Sequence, residues 1–219
     1  VGNTCTYSHK LYECLINNSN SQPDLNTGGA TPKWLDLGYT NQWKCFDDKV
    51  GSQTIQEDEI SFTIVPGDII DSMAFLDVSA TTITITMTDP VEGEVYTETI
   101  DLVEGTVISD WYQYFFDPII TIDSAVLLGI PPYSTASIEV VITAPSGTAK
   151  IGTIIIGIQK HLGRTLHGAA YGIVDYSKKE EDDFGNFYVL ERAYSKEVEA
   201  DISFCPSLFD DVNKTLSMY

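Results

Sequence analysis

Positive charge is scarce in this chain: twelve lysines and arginines stand against thirty-two aspartates and glutamates, a formal net charge of −20. A surface with that excess repels phosphate backbones and anionic lipid headgroups, so nucleic acid is not an expected partner. Long apolar runs are missing too. Even Ile151–Ile158 is short and broken by glycine, well under the ~18–20 consecutive apolar residues of a spanning helix, and no membrane span is expected. The four cysteines, Cys5, Cys14, Cys45 and Cys205, lack the C-x₂-C spacing of a zinc site, and reduced thiols are the expectation. A Cys5–Cys14 bridge across the first hairpin is the alternative, and it requires the two residues to be directly opposed. Histidine is limited to His9, His161 and His167, which leaves a His-dependent triad to long-range coincidence. Gly-x-Ser-x-Gly elbows, His-Glu-x-x-His helices, P-loops and dinucleotide fingerprints do not occur. The carboxylates supply too many pairs for any one pair to signal glycosidase chemistry. These absences point to a non-enzymatic protein with no cofactor. Val1 opens without a basic and apolar leader, so no signal peptide is expected.

What the chain does have is period-two alternation. Thr81-Thr-Ile-Thr-Ile-Thr-Met-Thr puts Ile83, Ile85 and Met87 on one face and Thr82, Thr84 and Thr86 on the other, the pattern of a half-buried strand. Strand-like runs recur at Glu59–Val65, Met73–Val78, Glu94–Leu102, Trp111–Phe116, Ile119–Leu128, Ser137–Thr143 and Lys150–Gln159, each bounded by Gly, Pro, Asp or Ser. Val65-Pro-Gly-Asp and Ala144-Pro-Ser-Gly-Thr read as turns, and Asp89-Pro-Val-Glu-Gly-Glu as a hairpin loop. Even spacing of short strands predicts a mostly β chain built on an antiparallel β-sandwich or jelly roll. A chain of 219 residues holds one such core with smaller appendages. The expected divisions are a hairpin module over 1–47, the sandwich over 48–160 and a strand-plus-short-helix assembly segment over 161–219.

In the first module, Thr4-Cys-Thr-Tyr and Leu11-Tyr-Glu-Cys-Leu-Ile flank Ser8-His-Lys as a hairpin. Tyr12 and Trp34 are its large rings, serving either as a miniature core or as a platform for sugar. Trp43 and Phe46 mark a packed joint to the sandwich rather than a free tether. In the last segment Val198, Ala200, Ile202 and Phe204 alternate with Glu197, Glu199, Asp201 and Ser203, which predicts a strand with one wet face. Pro206 begins a helix whose apolar stripe is Leu208, Phe209, Val212 and Leu216.

Three resemblances accompany this reading. Val1-Gly2-Asn3, Cys5-Thr6-Tyr7, Leu11-Tyr12-Glu13-Cys14, Pro23, Trp34 and Leu37-Gly38 resemble the small chitin- and cellulose-binding module of secreted chitinases. That likeness implies a glycan contact at Tyr12 and Trp34, although the paired tryptophans usual after the second strand are replaced by Asn17-Asn-Ser-Asn. The sandwich region is similar to galactose-binding-like jelly rolls, some of which carry calcium; Asp68, Asp71, Asp117 and Asp123 are the acidic residues near strand ends. The third covers most of the chain, and the runs Trp34-Leu-Asp-Leu-Gly-Tyr-Thr-Asn-Gln-Trp-Lys-Cys-Phe-Asp and Trp111-Tyr-Gln-Tyr-Phe-Phe share in it. Leu162-Gly163-Arg164-Thr165, Gly172-Ile173-Val174-Asp175-Tyr176-Ser177-Lys178-Lys179-Glu180, Asp183-Phe184-Gly185-Asn186 and Arg192-Ala193-Tyr194-Ser195-Lys196 resemble virion proteins of tailed bacteriophages associated with the tail tip or baseplate. In that group the chain continues beyond the helix with a further strand, which would leave 161–219 incomplete at its C-terminus. The likeness implies a virion protein assembled in the bacterial cytoplasm. Its partners would be other tail subunits, in a homo-oligomeric ring or a hetero-assembly, with a host-surface glycan as a further one. A glycan-binding adhesion protein and a capsid decoration protein are the alternative functions.

Overall fold

The computed structural model describes residues 1–47, 49, 51–103, 110–116, 121–181, 185–192 and 194–217. It is mostly β and antiparallel, with one short helix near the C-terminus. The chain divides into two compact units, 1–158 and 159–219.

The first unit opens with a three-stranded sheet of β1 (Thr4–Tyr7), β2 (Lys10–Cys14) and β3 (Trp34–Tyr39), in the order β1-β2-β3. Ser8 and His9 join β1 to β2 with φ of 47° and 67°, the two left-handed residues of a tight hairpin turn whose twist suits the flanking strands. Trp34 and Leu35 belong to the third strand of this sheet. The register sets Cys5 opposite Tyr12 and Thr4 opposite Glu13, so Cys5 and Cys14 are not opposed and no bridge forms; all four thiols are free.

A 3₁₀ turn, Asn41–Phe46, packs this module onto the second sheet. Cys45 is buried in the main core, which pushes its thiol pKa up, and the Phe46 ring meets Phe62 edge-on at 6.0 Å. The aromatic joint is thus a packed one, and residues 1–47 share a unit with the sheet that follows.

That sheet has six strands: β4 (Thr54–Ile64), β5 (Ser72–Ser79), β6 (Thr82–Asp89), β7 (Gly93–Asp101), β8 (Ser124–Leu128) and β9 (Ser137–Gly157), ordered β7-β6-β9-β5-β8 with β4 also on β9. Two expected strands at Ser137–Thr143 and Lys150–Gln159 are one long β9 that runs through the expected turn. Its first part lies between β4 and β6, with Ile142 opposite both Ile60 and Ile83; its last part pairs with β5, Ile154 opposite Phe75. Both long strands kink at the same level. Asp58 (φ 62°) sits in the β4 bulge and Ser146 (φ 57°) faces it, the Ser146 N–H donating to Asp58 Oδ1 at 3.0 Å. Such bulges bend a strand and sharpen its twist. One buried cluster collects Ile83, Ile85 and Met87 of β6, Ile138, Val140 and Ile142 of β9, and Met73, Phe75 and Leu127 of β5 and β8. The threonine face of β6 is half-buried, and Thr84 and Thr86 reach Thr99 and Thr97 of β7 through their hydroxyls.

The expected strand at Trp111–Phe116 is instead a helix, α1 (Trp111–Phe116). Six consecutive bulky residues fit period two, but the i,i+4 pair also fits a helix, and Trp111 stacks on Phe115 with centroids 6.2 Å apart. The start of the strand expected at Ile119 lies outside the described residues.

The β6–β7 turn makes use of charge. Asp89 is buried there; its Oδ1 accepts the N–H groups of Val91 (2.9 Å) and Glu92 (3.1 Å), and its Oδ2 accepts the Thr135 hydroxyl at 2.7 Å. The Thr135 hydroxyl first, then the two amides, hold its carboxyl below the usual range. A depressed folded pKa adds stability above the unfolded value of about 3.9 and gives it up as pH falls through the folded one. Asp89→Ala should therefore melt below the wild type at neutral pH, with a gap in Tm that narrows once pH drops under about 4. A gap that stays constant into acid would show that the turn does not depend on the carboxylate charge.

The second unit is a long antiparallel arm with a helical foot. Its strands are β10 (Arg164–Thr165), β11 (Ala170–Asp175), β12 (Lys178–Glu181), β13 (Phe187–Leu190), β14 (Tyr194–Glu199) and β15 (Ile202–Ser203). They pair two by two, β10 with β15, β11 with β14 and β12 with β13, so one ribbon runs out and back. A 3₁₀ turn, Pro206–Leu208, then leads into α2 (Phe209–Leu216). Of the expected helix stripe only Val212 is buried; Leu208, Phe209 and Leu216 are exposed.

Candidate functional site

The arm has an unusual economy of burial: among its described residues from Arg164 to Ser203 none is buried. Cross-strand pairing fixes which side chains share a face. Tyr171 lies opposite Val198, Ile173 opposite Lys196 and Asp175 opposite Tyr194. One face therefore carries Tyr171, Ile173, Tyr194 and Val198, with Tyr171 85% and Ile173 70% exposed, and only one charge of each sign. The other face carries Glu197, Glu199, Ala170, Gly172, Val174 and Ser195. Further out, Phe187, Tyr188, Val189 and Leu190 of β13 are all exposed. A two-stranded ribbon is marginal in water by itself. An apolar stripe of this extent on one calls for a covering partner.

The outer part of the arm is held by local polar contacts. Lys178 Nζ lies 2.8 Å from Glu180 Oε1, and the Tyr188 hydroxyl donates to Glu180 Oε2 at 2.6 Å. Lys178 first, then Tyr188, keep the Glu180 carboxyl below its ordinary range, so this carboxylate is charged at neutral pH. Lys179 lies over the Phe187 ring at 5.0 Å. The arm root is tied by Leu166 N–H to the Asp201 carbonyl at 2.8 Å.

Scarcity of cations explains a recurring device elsewhere. Tyr133 donates to Glu92 at 2.7 Å and Tyr96 donates to Glu98; burial and then the Glu98 contact push the Tyr96 hydroxyl up to about 12. Tyrosine hydroxyls thus take the place that lysine and arginine fill in a balanced chain. Lys10 with Asp36, at 3.0 Å, is the ion pair described in the first unit.

The residues singled out for sugar are placed differently from one another. Tyr12 is 3% exposed, so its ring presents no open face for stacking. Trp34 is half-buried, and its indole N–H donates to the Ser21 carbonyl at 3.0 Å. His9 lies against Trp43, with ring centroids 3.7 Å apart. Of the acidic residues considered for calcium, Asp117 lies outside the described residues. Asp68, Asp71 and Asp123 do not converge, and among the described residues no three His, Cys, Asp or Glu side chains gather where a metal ion could be held.

Val198–Phe204, expected as one strand with one wet face, is instead divided at Ala200 and Asp201 between β14 and β15, with no residue buried on either face, and the partner strand β11 was missed. The signal was available: Ala170-Tyr-Gly-Ile-Val-Asp and Tyr194-Ser-Lys-Glu-Val-Glu are strand-like runs placed symmetrically about the loop at Asp183-Phe-Gly-Asn. The glycines at 168 and 172 masked the first of them. Comparison with protein-family models, with curated proteins and with solved structures found no match to this chain.

Proposed function

We propose that this chain is a structural subunit of a tailed-bacteriophage virion, sited at the tail tip or baseplate, and that it acts through subunit contacts made by the arm. The observation that carries this reading is the arm itself, a ribbon with Tyr171, Ile173, Tyr194 and Val198 on one open face and no buried residue among those described. Such a ribbon gains stability when a neighbour covers it. Of the runs that resemble phage tail proteins, those from Leu162 to Lys196 are largely the residues of this ribbon, while those at Trp34 and Trp111 lie in the first unit. In the same reading the six-stranded sheet is a β-sandwich of the galactose-binding-like, jelly-roll kind. The support is that one buried cluster draws on both ends of β9, and that β4 and β9 bend together at Asp58 and Ser146, as strands do when they pass between packed layers. The sandwich is then a structural element with no catalysis of its own, and tail subunits are the partners.

The test is assembly. Antibodies raised against the chain should label one end of the tail in particles viewed by electron microscopy, and a version lacking residues 163–219 should stay folded yet be absent from purified particles. Label on the head surface would favour a capsid decoration protein instead. Incorporation of the shortened chain would overturn the role given to the arm. Binding of the full chain to a glycan array, with loss in Trp34→Ala, would favour the adhesion reading.

A further inference from the structure

Among the described residues the large sheet has three outer strands, and they are protected unequally. β7 carries exposed Glu94, Glu98 and Asp101, and β4 carries exposed Glu57, Asp58 and Glu59. The β4 edge is also occupied at Ile55, whose carbonyl accepts from Asn41 Nδ2 at 2.8 Å and whose N–H donates to Asn41 Oδ1 at 3.1 Å. Charges and backbone caps of this kind are how natural sheets prevent edge-to-edge pairing. β8, Ser124-Ala-Val-Leu-Leu128, carries no charge and, among the described residues, no such cap. Among the described residues it is paired with β5 alone.

The outer face behind that edge is uncharged as well. Register places Val126, Ala74 and Ile155 in one row across three strands, with Ser124, Leu76 and Thr153 on one side of it and Leu128, Ser72 and Gly157 on the other. Val126 is 62% exposed, and Leu128 and Ile155 are more than half exposed. A chain in which 20% of residues are charged leaves this three-by-three grid without a single ionisable side chain.

We propose that a second copy of this chain docks here, by antiparallel pairing of two β8 strands about a twofold axis at Val126, so that the two sheets join. The sequence of β8 is self-complementary for that arrangement. Val126 meets itself and Ser124 meets the partner's Leu128 on the outer face, while Ala125 meets the partner's Leu127 on the inner, core-facing side. The flanking Asp123 falls opposite the partner's Gly129, so no carboxylates are brought face to face. Two molecules of charge −20 repel each other over most of their surfaces, and the neutral edge is where they can approach at least cost. A basic partner, by contrast, would be drawn to the acidic edges rather than to this one. Five-residue strands bury less than the ~800 Å² per partner of a standard stable interface, so the dimer is a weak one, with a dissociation constant on the order of tens of micromolar. The proposal concerns the first unit and stands apart from the role assigned to the arm.

Sedimentation velocity of the full chain from about 1 to 200 µM tests it. The expected result is a monomer–dimer equilibrium that tightens between about 0.15 and 0.5 M salt as repulsion is screened. Val126→Glu should weaken association at least tenfold. Val91→Glu, at a 91% exposed position in the β6–β7 turn, makes the same change in net charge and should leave it within twofold, as should Tyr171→Glu on the arm. Val126→Thr keeps the branched shape and should retain the dimer. A chain that stays monomeric throughout in high salt overturns the proposal. So does an equal effect of the two valine-to-glutamate changes, or an association lost in Tyr171→Glu and kept in Val126→Glu.

Discussion

Ile85→Asp should destabilise the first unit by at least about 4 kcal/mol, a loss comparable with the whole stability of many domains. Ile85 has no exposed surface. It sits on β6 opposite Val140 of β9, on the face that also carries Ile83 and Met87. A carboxylate there loses its water; its cross-strand neighbours are the aliphatic Val140 and, on β7, Glu98, whose like charge adds to the cost, so it either shifts its pKa upward and stays neutral or forces the strand apart. The change one residue earlier provides the contrast. Thr84 points to the opposite, half-buried face, where its hydroxyl lies 3.1 Å from that of Thr99. Thr84→Asp gives up that contact while keeping access to water, and should cost about 1 kcal/mol. Chemical denaturation of the two variants side by side measures the difference. Equal losses would mean that both faces of β6 are sealed from water.

The same strand shows why part of the fold could be read directly. Its threonine–isoleucine alternation admits one register, because a slip of one residue would turn every isoleucine to the wrong face. The Ser8-His9 turn was equally legible, since a short polar turn between two alternating runs leaves few options. Trp111–Phe116 was not, because five of its six residues are aromatic, Gln113 being the exception, and such a run satisfies either period; the stacking of Trp111 on Phe115 goes with the helix. Continuity of β9 was hidden by Pro145 and Gly147, which look like a turn when read locally; pairing to β4 on both sides of them, Thr143 with Glu59 and Thr148 with Glu57, carries the strand through.

The candidate surfaces were legible in composition but not in geometry. Alternation marked Val198 and Ile202 as one face, yet whether that face would be buried depends on what lies across from it, and cross-strand neighbours such as Tyr171 come from far along the chain. The bare edge at β8 could not be found in sequence at all, because a strand is an edge only by virtue of where the others pair. The neutral stretch from Ser124 to Leu128 reads as a buried strand in isolation, and it becomes a surface because no described strand pairs beyond it.

Gly163→Ala should loosen the arm at its root while leaving the first unit untouched. Gly163 has φ of +147°, and a Cβ built there would stand 2.7 Å from both Ile202 Cγ2 and the Ser203 carbonyl oxygen and 3.1 Å from Phe204 Cβ. The obstacle includes backbone on the return strand, which cannot swing aside as a side-chain tip can. An alanine must therefore change its own φ, at about 1–3 kcal/mol for an unfavourable conformation, or push β15 away, at a similar cost for overpacking. Little at the root can resist this: β10 and β15 share two residue pairs, Arg164 with Ser203 and Thr165 with Ile202, beside the Leu166-to-Asp201 bond. Amide exchange at Leu166 should accelerate at least about tenfold, since each 1.4 kcal/mol lost from a local opening equilibrium is a factor of ten. Because the two units are compact separately, the melting of the six-stranded sheet should be unchanged, and protease should cut near the root before it cuts β4–β9. Unaltered exchange at Leu166 would mean that the close approach of Gly163 to Ser203 does not hold the arm in place. A fall in the melting temperature of the sheet would mean that the root is part of its core.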